Sequence, residues 1–134
     1  MARLRHIALR CGDVAASRSF YELLGFEFVC YRGADKLTVD LADGDVNMTL
    51  IPHPGERPSL EEGEEYIHFG VIVDDAAKLW ERLRDAGAEI LRDDVKQRNE
   101  ITTDDAPTGS FKVADPDGNV IDVTDNLREW NYAL

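Results

Sequence analysis

Cysteine is scarce: Cys11 and Cys30 are the two in a chain of 134 residues. Two cysteines exclude a disulfide framework, and Cys11 lies in an apolar run where a reduced thiol behaves as a small hydrophobe. Positive charge is short as well, with 15 Lys and Arg against 27 Asp and Glu, a formal net charge of -12. Nucleic acid and anionic membrane surfaces both need a basic footprint, so neither is expected as a partner. Long hydrophobic runs are missing. No stretch approaches the ~20 apolar residues of a membrane span. The opening Met-Ala-Arg-Leu-Arg-His does not lead into the apolar core of a signal peptide, and a cytoplasmic protein is expected. Histidine numbers three, so a site built on imidazole has few residues to draw on.

What is present is an ordinary globular balance, 43% apolar and 31% charged. The length suits one domain, 1–134, large enough to bury about two thirds of its unfolded surface. Inside it lies a repeat. With the sequence shifted by 62 residues, His6 to Val29 falls over His68 to Leu91. Identities coincide at His6/His68, Asp13/Asp75, Ala15/Ala77, Gly25/Gly87 and Glu27/Glu89.

The repeat carries a structural pattern. Ile7, Leu9 and Cys11 alternate with His6, Ala8 and Arg10, the period of a two-faced strand. Asp13 is placed to cap a helix whose stripe is Ala16, Phe20, Leu23 and Leu24, and Gly25 stands where a left-handed residue ends it. In the second copy Phe69, Val71 and Val73 share a strand face, and Asp74 or Asp75 caps a helix lined by Leu79, Leu83 and Ala86, closed by Gly87. Three further strands follow in each copy: 28–31, 36–41 and 46–51, then 90–91, 111–114 and 120–124. The run Asp115-Pro116-Asp117-Gly118-Asn119 supplies hairpin turn chemistry. The expected fold is therefore α+β, two βαβββ modules over about residues 3–53 and 66–126, forming a curved mixed sheet around a cleft. A polar loop from about Asp94 to Gly109 is extra in the second copy.

Strand parity sends His6 and His68 to the face away from the helices. Imidazole is the commonest metal ligand, and two at equivalent positions on strands suit a divalent ion. Asp122 is an acid inside the apolar strand Val120 to Thr124, which is unfavourable unless it is paired or bound to metal. Its equivalent in the first copy is Thr49. A lone strand histidine is usually structural, and Asp122 has Arg10 as an alternative partner. Two equivalent histidines with an inward acid favour a site. His53 reads as an exposed linker residue, the acidic stretch Glu61 to Glu65 as a solvated face, and Trp80 as packing. Trp130 and Tyr132 are placed to cap the cleft or pack on a partner subunit.

The stretches Arg5-His6-Ile7-Ala8-Leu9, Phe20-Tyr21-Glu22-Leu23-Leu24-Gly25-Phe26 and Ile67-His68-Phe69-Gly70-Val71, with the Asp115 to Asn119 turn, resemble the vicinal oxygen chelate superfamily. That group holds glyoxalase I, methylmalonyl-CoA epimerase, extradiol dioxygenases and the fosfomycin- and bleomycin-resistance proteins. The resemblance spans about Arg3 to Asp125 and implies a homodimer acting on a small molecule. It also implies a divalent cofactor, Fe(II), Mn(II), Ni(II) or Zn(II), with ligands at His6, His68 and Asp122, inside one chain or shared with a partner. Asp122 stands where glutamate is usual in the family. Thr49 stands where glyoxalase I has a glutamate and the epimerase a glutamine, and threonine cannot serve as a base there, which disfavours glyoxalase I. Lyase, isomerase, epimerase or dioxygenase chemistry remains open. Thr49 is expected as a hydrogen-bond donor behind the metal, and Arg10 as a partner for a substrate carboxylate or phosphate. The alternative is a metal-free cleft of the bleomycin-resistance type, which the acidic balance suits and the paired histidines and Asp122 do not.

Overall fold

The computed structural model describes residues 2–56, 58, 63–65, 67–91 and 109–130. The chain divides into two compact units, Met1–Ser59 and Leu60–Leu134. Unit 1 runs β1 (His6–Cys11), α1 (Val14–Leu24), β2 (Glu27–Arg32), β3 (Thr38–Ala42) and β4 (Asn47–Pro52). Unit 2 repeats the order as β5 (His68–Ile72), α2 (Ala76–Asp85), β6 (Glu89–Leu91), β7 (Ser110–Ala114) and β8 (Val120–Thr124). Each is a four-stranded mixed sheet, ordered β1-β4-β3-β2 and β5-β8-β7-β6. The α+β class and the two βαβββ modules are as expected, and the strands pair as two sheets, one in each unit. Most of the extra polar loop lies outside the described residues. No helix among the described residues is long and apolar enough to cross a membrane.

The first strand of each unit pairs in parallel with the last, and the remaining pairings are antiparallel. A parallel pair needs a crossover of a dozen or more residues, and the helix with its following strands supplies it. In β1, Leu9 and Cys11 are buried and His6, Ala8 and Arg10 are exposed, so the helix covers one face only. Met48 and Leu50 in β4 and Val113, Ile121 and Val123 in unit 2 are fully buried. Within β8 Asp122 alone is half-exposed, although Val120 and Thr124 on the same face are buried.

Both helices begin on aspartate. Asp13 accepts from the Ala16 N–H, and Asp75, rather than Asp74, accepts from the Lys78 N–H, each at 3.0 Å. The buried stripe of α1 is Ser17, Phe20 and Tyr21, with Leu23 and Leu24 half-buried. Tyr21 takes this place because its ring meets Phe20 and Phe26 edge to face, at centroid distances of 5.0 and 6.0 Å. In α2 the stripe is Ala76, Leu79, Trp80 and Leu83, while Ala86 is the exposed C-cap. Trp80 packs in the core, as its apolar position predicts. The turn before β8 is closed by Asp115, whose carboxylate accepts from the Asp117 and Asn119 N–H groups and from the Asn119 side-chain amide.

Gly25 ends α1 at φ 108°, where its N–H donates to the Glu22 carbonyl at 3.1 Å. A side chain there is strained, so Gly25→Ala is expected to destabilise by about 1 kcal/mol or more. In thermal unfolding that is a drop of roughly 3–5 °C. Gly25→Asn, which tolerates left-handed backbone better, should lose less. An alanine variant melting with the wild type would contradict this account of the cap.

Candidate functional site

Unit 2 brings together two of the three residues expected as metal ligands. His68 and Gly70 pair with Val120 and Asp122 along the parallel ladder, so His68 and Asp122 occupy neighbouring strands on the face away from α2. Their side chains meet, with His68 Nε2 2.7 Å from Asp122 Oδ2. The partner of Asp122 is thus His68, and Arg10 lies exposed in unit 1.

A third group had no sequence signal beyond its position. Glu65 stands 3.4 Å from His68 Nδ1, three residues upstream. It is not the solvated residue that the acidic stretch suggested, since its side chain is only 7% exposed. Burial alone would raise its carboxyl. The backbone N–H groups of Glu65 and Gly63, and then His68, outweigh that and hold it below the usual carboxylate range. Both ring nitrogens of His68 therefore face carboxylates. At 2.7 Å from a carboxylate oxygen, Nε2 carries a proton and donates it to Asp122, while Glu65 faces Nδ1 at 3.4 Å.

Unit 1 presents the equivalent face differently. His6 Nδ1 lies 2.6 Å from Asn47 Oδ1. An amide oxygen can only accept, so Nδ1 carries the proton and Nε2 keeps its lone pair. The register aligns Cys30, Asp40, Thr49 and Ala8 in one row across the sheet. Thr49 Oγ1 lies 2.7 Å from Asp40 Oδ1 and 3.1 Å from Asn47 Oδ1, so its single proton goes to Asp40. The donor role expected of Thr49 is spent inside the row. Asp40 is buried and also accepts from Arg32 Nε at 2.8 and 2.9 Å. Burial works to raise its carboxyl, but the Thr49, Arg32 and Asn47 contacts hold it below its ordinary value.

Asp40 is the other residue that sequence reasoning passed over. The row of unit 2 equivalent to Asp40–Thr49 is Lys112–Asp122, so the acid has changed strands between the copies. The pattern was open to view once β3 was aligned with β4, but that alignment depends on the turn geometry between them. His53 is half-buried, its N–H donating to the Cys11 carbonyl at 2.9 Å and so extending the β1–β4 pairing. Trp130 lies against Gly70 in unit 2, and Tyr132 is outside the described residues. Among the described residues no three His, Cys, Asp or Glu side chains form a group able to hold a metal. Unit 2 supplies a two-donor pair with its supporting carboxylate, and unit 1 a histidine fixed in one tautomer.

The lowered Asp40 carboxyl gives a pH signature. A group whose folded pKa lies below its unfolded value stabilises above the unfolded value and loses that contribution as pH falls through the folded one. Asp40→Asn should therefore cost about 1–3 kcal/mol near pH 7, because Arg32 and Thr49 lose a charged acceptor. The gap to wild type should narrow below about pH 4. Urea unfolding at pH 7 and pH 3 reads this directly. A gap independent of pH would rule it out.

Comparison with known proteins agrees with the fold. A lactoylglutathione lyase of Neisseria meningitidis serogroup A is 27% identical over 127 residues, covering 90% of this chain and 88% of that protein. The glyoxalase I of Leishmania major, whose structure is described as trypanothione-dependent, superposes with a TM-score of 0.68 at 24% identity, covering 92% of this chain and 86% of that one. An integron cassette protein of Vibrio cholerae superposes with a TM-score of 0.63 at 26% identity, over 92% and 94% of the two chains. The sequence profile of the glyoxalase/bleomycin resistance protein/dioxygenase superfamily matches residues 3–123, nearly the whole of both βαβββ units with their paired histidine strands, and the chain belongs to that superfamily.

Proposed function

We propose that the protein is a divalent-metal-dependent enzyme acting on a small substrate through two neighbouring oxygens, with His6, His68 and Asp122 as the protein donors. The observation that carries this reading is the 2.7 Å approach of His68 Nε2 to Asp122 Oδ2, with Glu65 behind the ring at Nδ1. Two donors bound to one ion at about 2.0–2.2 Å stand roughly 3 Å apart, so this pair needs little adjustment to share a cation. A carboxylate on the far nitrogen of a ligating histidine fixes its tautomer and raises its basicity. In unit 1 the Asn47 amide oxygen fixes the tautomer of His6 in the same way.

Two histidines and one carboxylate leave coordination positions open and suit Fe(II) or Mn(II), with Ni(II) and Zn(II) as alternatives. A divalent ion supplies Lewis acidity, stabilising negative charge that develops on chelated substrate oxygens. The remaining work falls to the chain's own side chains. Arg10, exposed on the same face of β1 as His6, is placed to receive a substrate carboxylate or phosphate. Asp40 does not replace the glutamate that Thr49 lacks, because Arg32 and Thr49 occupy its oxygens and keep it ionised. Proton transfer of the glyoxalase I kind is therefore disfavoured, and the lactoylglutathione lyase name of the 27% identical relative is not carried over. Oxygenase, lyase or epimerase chemistry remains within the proposal. A homodimer is part of the same reading, with the donors gathered from one chain or from two copies.

Metal content after mild purification, followed by Co(II) titration of the metal-free protein, tests it. About one ion per chain is expected, with affinity lowered 100-fold or more in His68→Ala and about 10- to 100-fold in Glu65→Gln. Wild-type binding no tighter than that of His68→Ala would overturn the proposal. Stabilisation by a cationic drug, unaffected by chelator, would favour the metal-free binding protein instead.

A further inference from the structure

Gly70 is a glycine for a reason that the backbone does not supply. Its φ is outside the left-handed region, so a side chain would be tolerated by the strand itself. What forbids one is Trp130: a Cβ on Gly70 would lie 2.2 and 2.3 Å from the indole carbons Cζ2 and Cη2. Ordinary carbon contacts begin near ~3.5 Å. The equivalent position in unit 1 is Ala8, which has the very atom that the indole excludes here.

The placement of the indole follows from a built turn. After β8 the Asn126 N–H donates to Thr124 Oγ1 at 3.1 Å, the Arg128 N–H to Asn126 Oδ1 at 3.0 Å, and the Glu129 N–H to the Asn126 carbonyl at 3.1 Å. These bonds turn the chain back at the end of β8 and deliver Trp130 to the neighbouring strand β5. Gly70 pairs in register with Asp122, and His68 precedes it by two residues on the same face. Neighbouring strands lie about 4.8 Å apart and a two-residue step is about 6.6 Å, so the indole rests beside both side chains. Trp130 is only half-buried, whereas Trp80 is 2% exposed in the core. Trp130 therefore keeps part of its surface open while it rests on the strand that carries His68.

We propose that Trp130 is the aromatic wall of the ligand site at His68 and Asp122, and that the site takes a flat, conjugated ligand. An indole face stacks on planar π systems and gains little from a small aliphatic group. That the ligand presents two adjacent oxygens rests on the metal reading above, whereas the wall rests on the Gly70 contact.

The test compares two small chelators that both offer adjacent oxygens, tropolone, which is a flat ring, and acetohydroxamate, which has none. Their affinities for the full chain are measured in the metal-free and Co(II) states, for wild type, Trp130→Ala, Trp130→Phe and Gly70→Ala. The preference of wild type for tropolone should fall roughly tenfold in Trp130→Ala and in Gly70→Ala, and be largely kept in Trp130→Phe. Acetohydroxamate and bare Co(II) should bind all four within about twofold. An unchanged preference in Trp130→Ala, an equal loss of both probes, or no tropolone binding in either state would overturn the wall. A wild type that binds no Co(II) yet prefers tropolone, with the preference lost in Trp130→Ala, would keep the wall and remove the metal.

Discussion

Each unit is organised by the parallel pairing of its first strand with its last. That ladder puts His6 beside Asn47 and Thr49, and His68 beside Asp122, although 41 and 54 residues separate the hydrogen-bonded members. The helix between the strands covers one face, which forces alternate side chains of β1 and β5 to the other. A histidine on either strand is thus aimed away from the core by the same constraint that buries Leu9 or packs Phe69 and Val71. Sliding either pairing by one residue would send the histidine into the core and the apolar residues out of it. The site depends on that register more than on any single hydrogen bond.

The two copies use the same frame for different electrostatics. In unit 1 the acid sits on β3 and is neutralised by Arg32, with the Thr49 hydroxyl donating to it. In unit 2 the acid sits on β8 and meets an imidazole. A buried, paired carboxylate such as Asp40 adds order and holds its neighbours in place. A half-exposed carboxylate against a histidine, backed by a second carboxylate, is where the proposed cation would take the place of a proton. Divergence of the repeat has left one module to fix a histidine and the other to assemble a donor pair.

Much of this was legible in the residues, because period-two alternation, aspartate caps and glycine terminators are local signals. Leu9 and Cys11 against His6 and Arg10, Asp13, and Gly25 all behave as their spacing predicts. That His68 and Asp122 share a face away from the helix was legible too, from strand parity. Tyr21 in place of Leu23 and Leu24 on the α1 stripe was not, since the choice follows from where Phe26 returns after Gly25. Glu65 reads as one acid among several until it is seen against the His68 ring. Asp40 and Trp130 are long-range cases. One needs the β3–β4 register, and the other needs the turn after β8 and a missing Cβ on a strand sixty residues away. Composition showed only that acids are plentiful, and the structure distinguishes the few that are held against partners.

The central claim is that this superfamily member holds a divalent ion through both repeat histidines and Asp122. X-ray absorption at the metal edge of Zn(II)- or Co(II)-loaded protein addresses it most directly, because imidazole rings leave a multiple-scattering signature that can be counted. The account predicts two imidazoles and at least one oxygen donor at about 2.0–2.2 Å, falling to one imidazole in His6→Ala and in His68→Ala. A first shell of oxygen alone, or an imidazole count unchanged by either substitution, would contradict it.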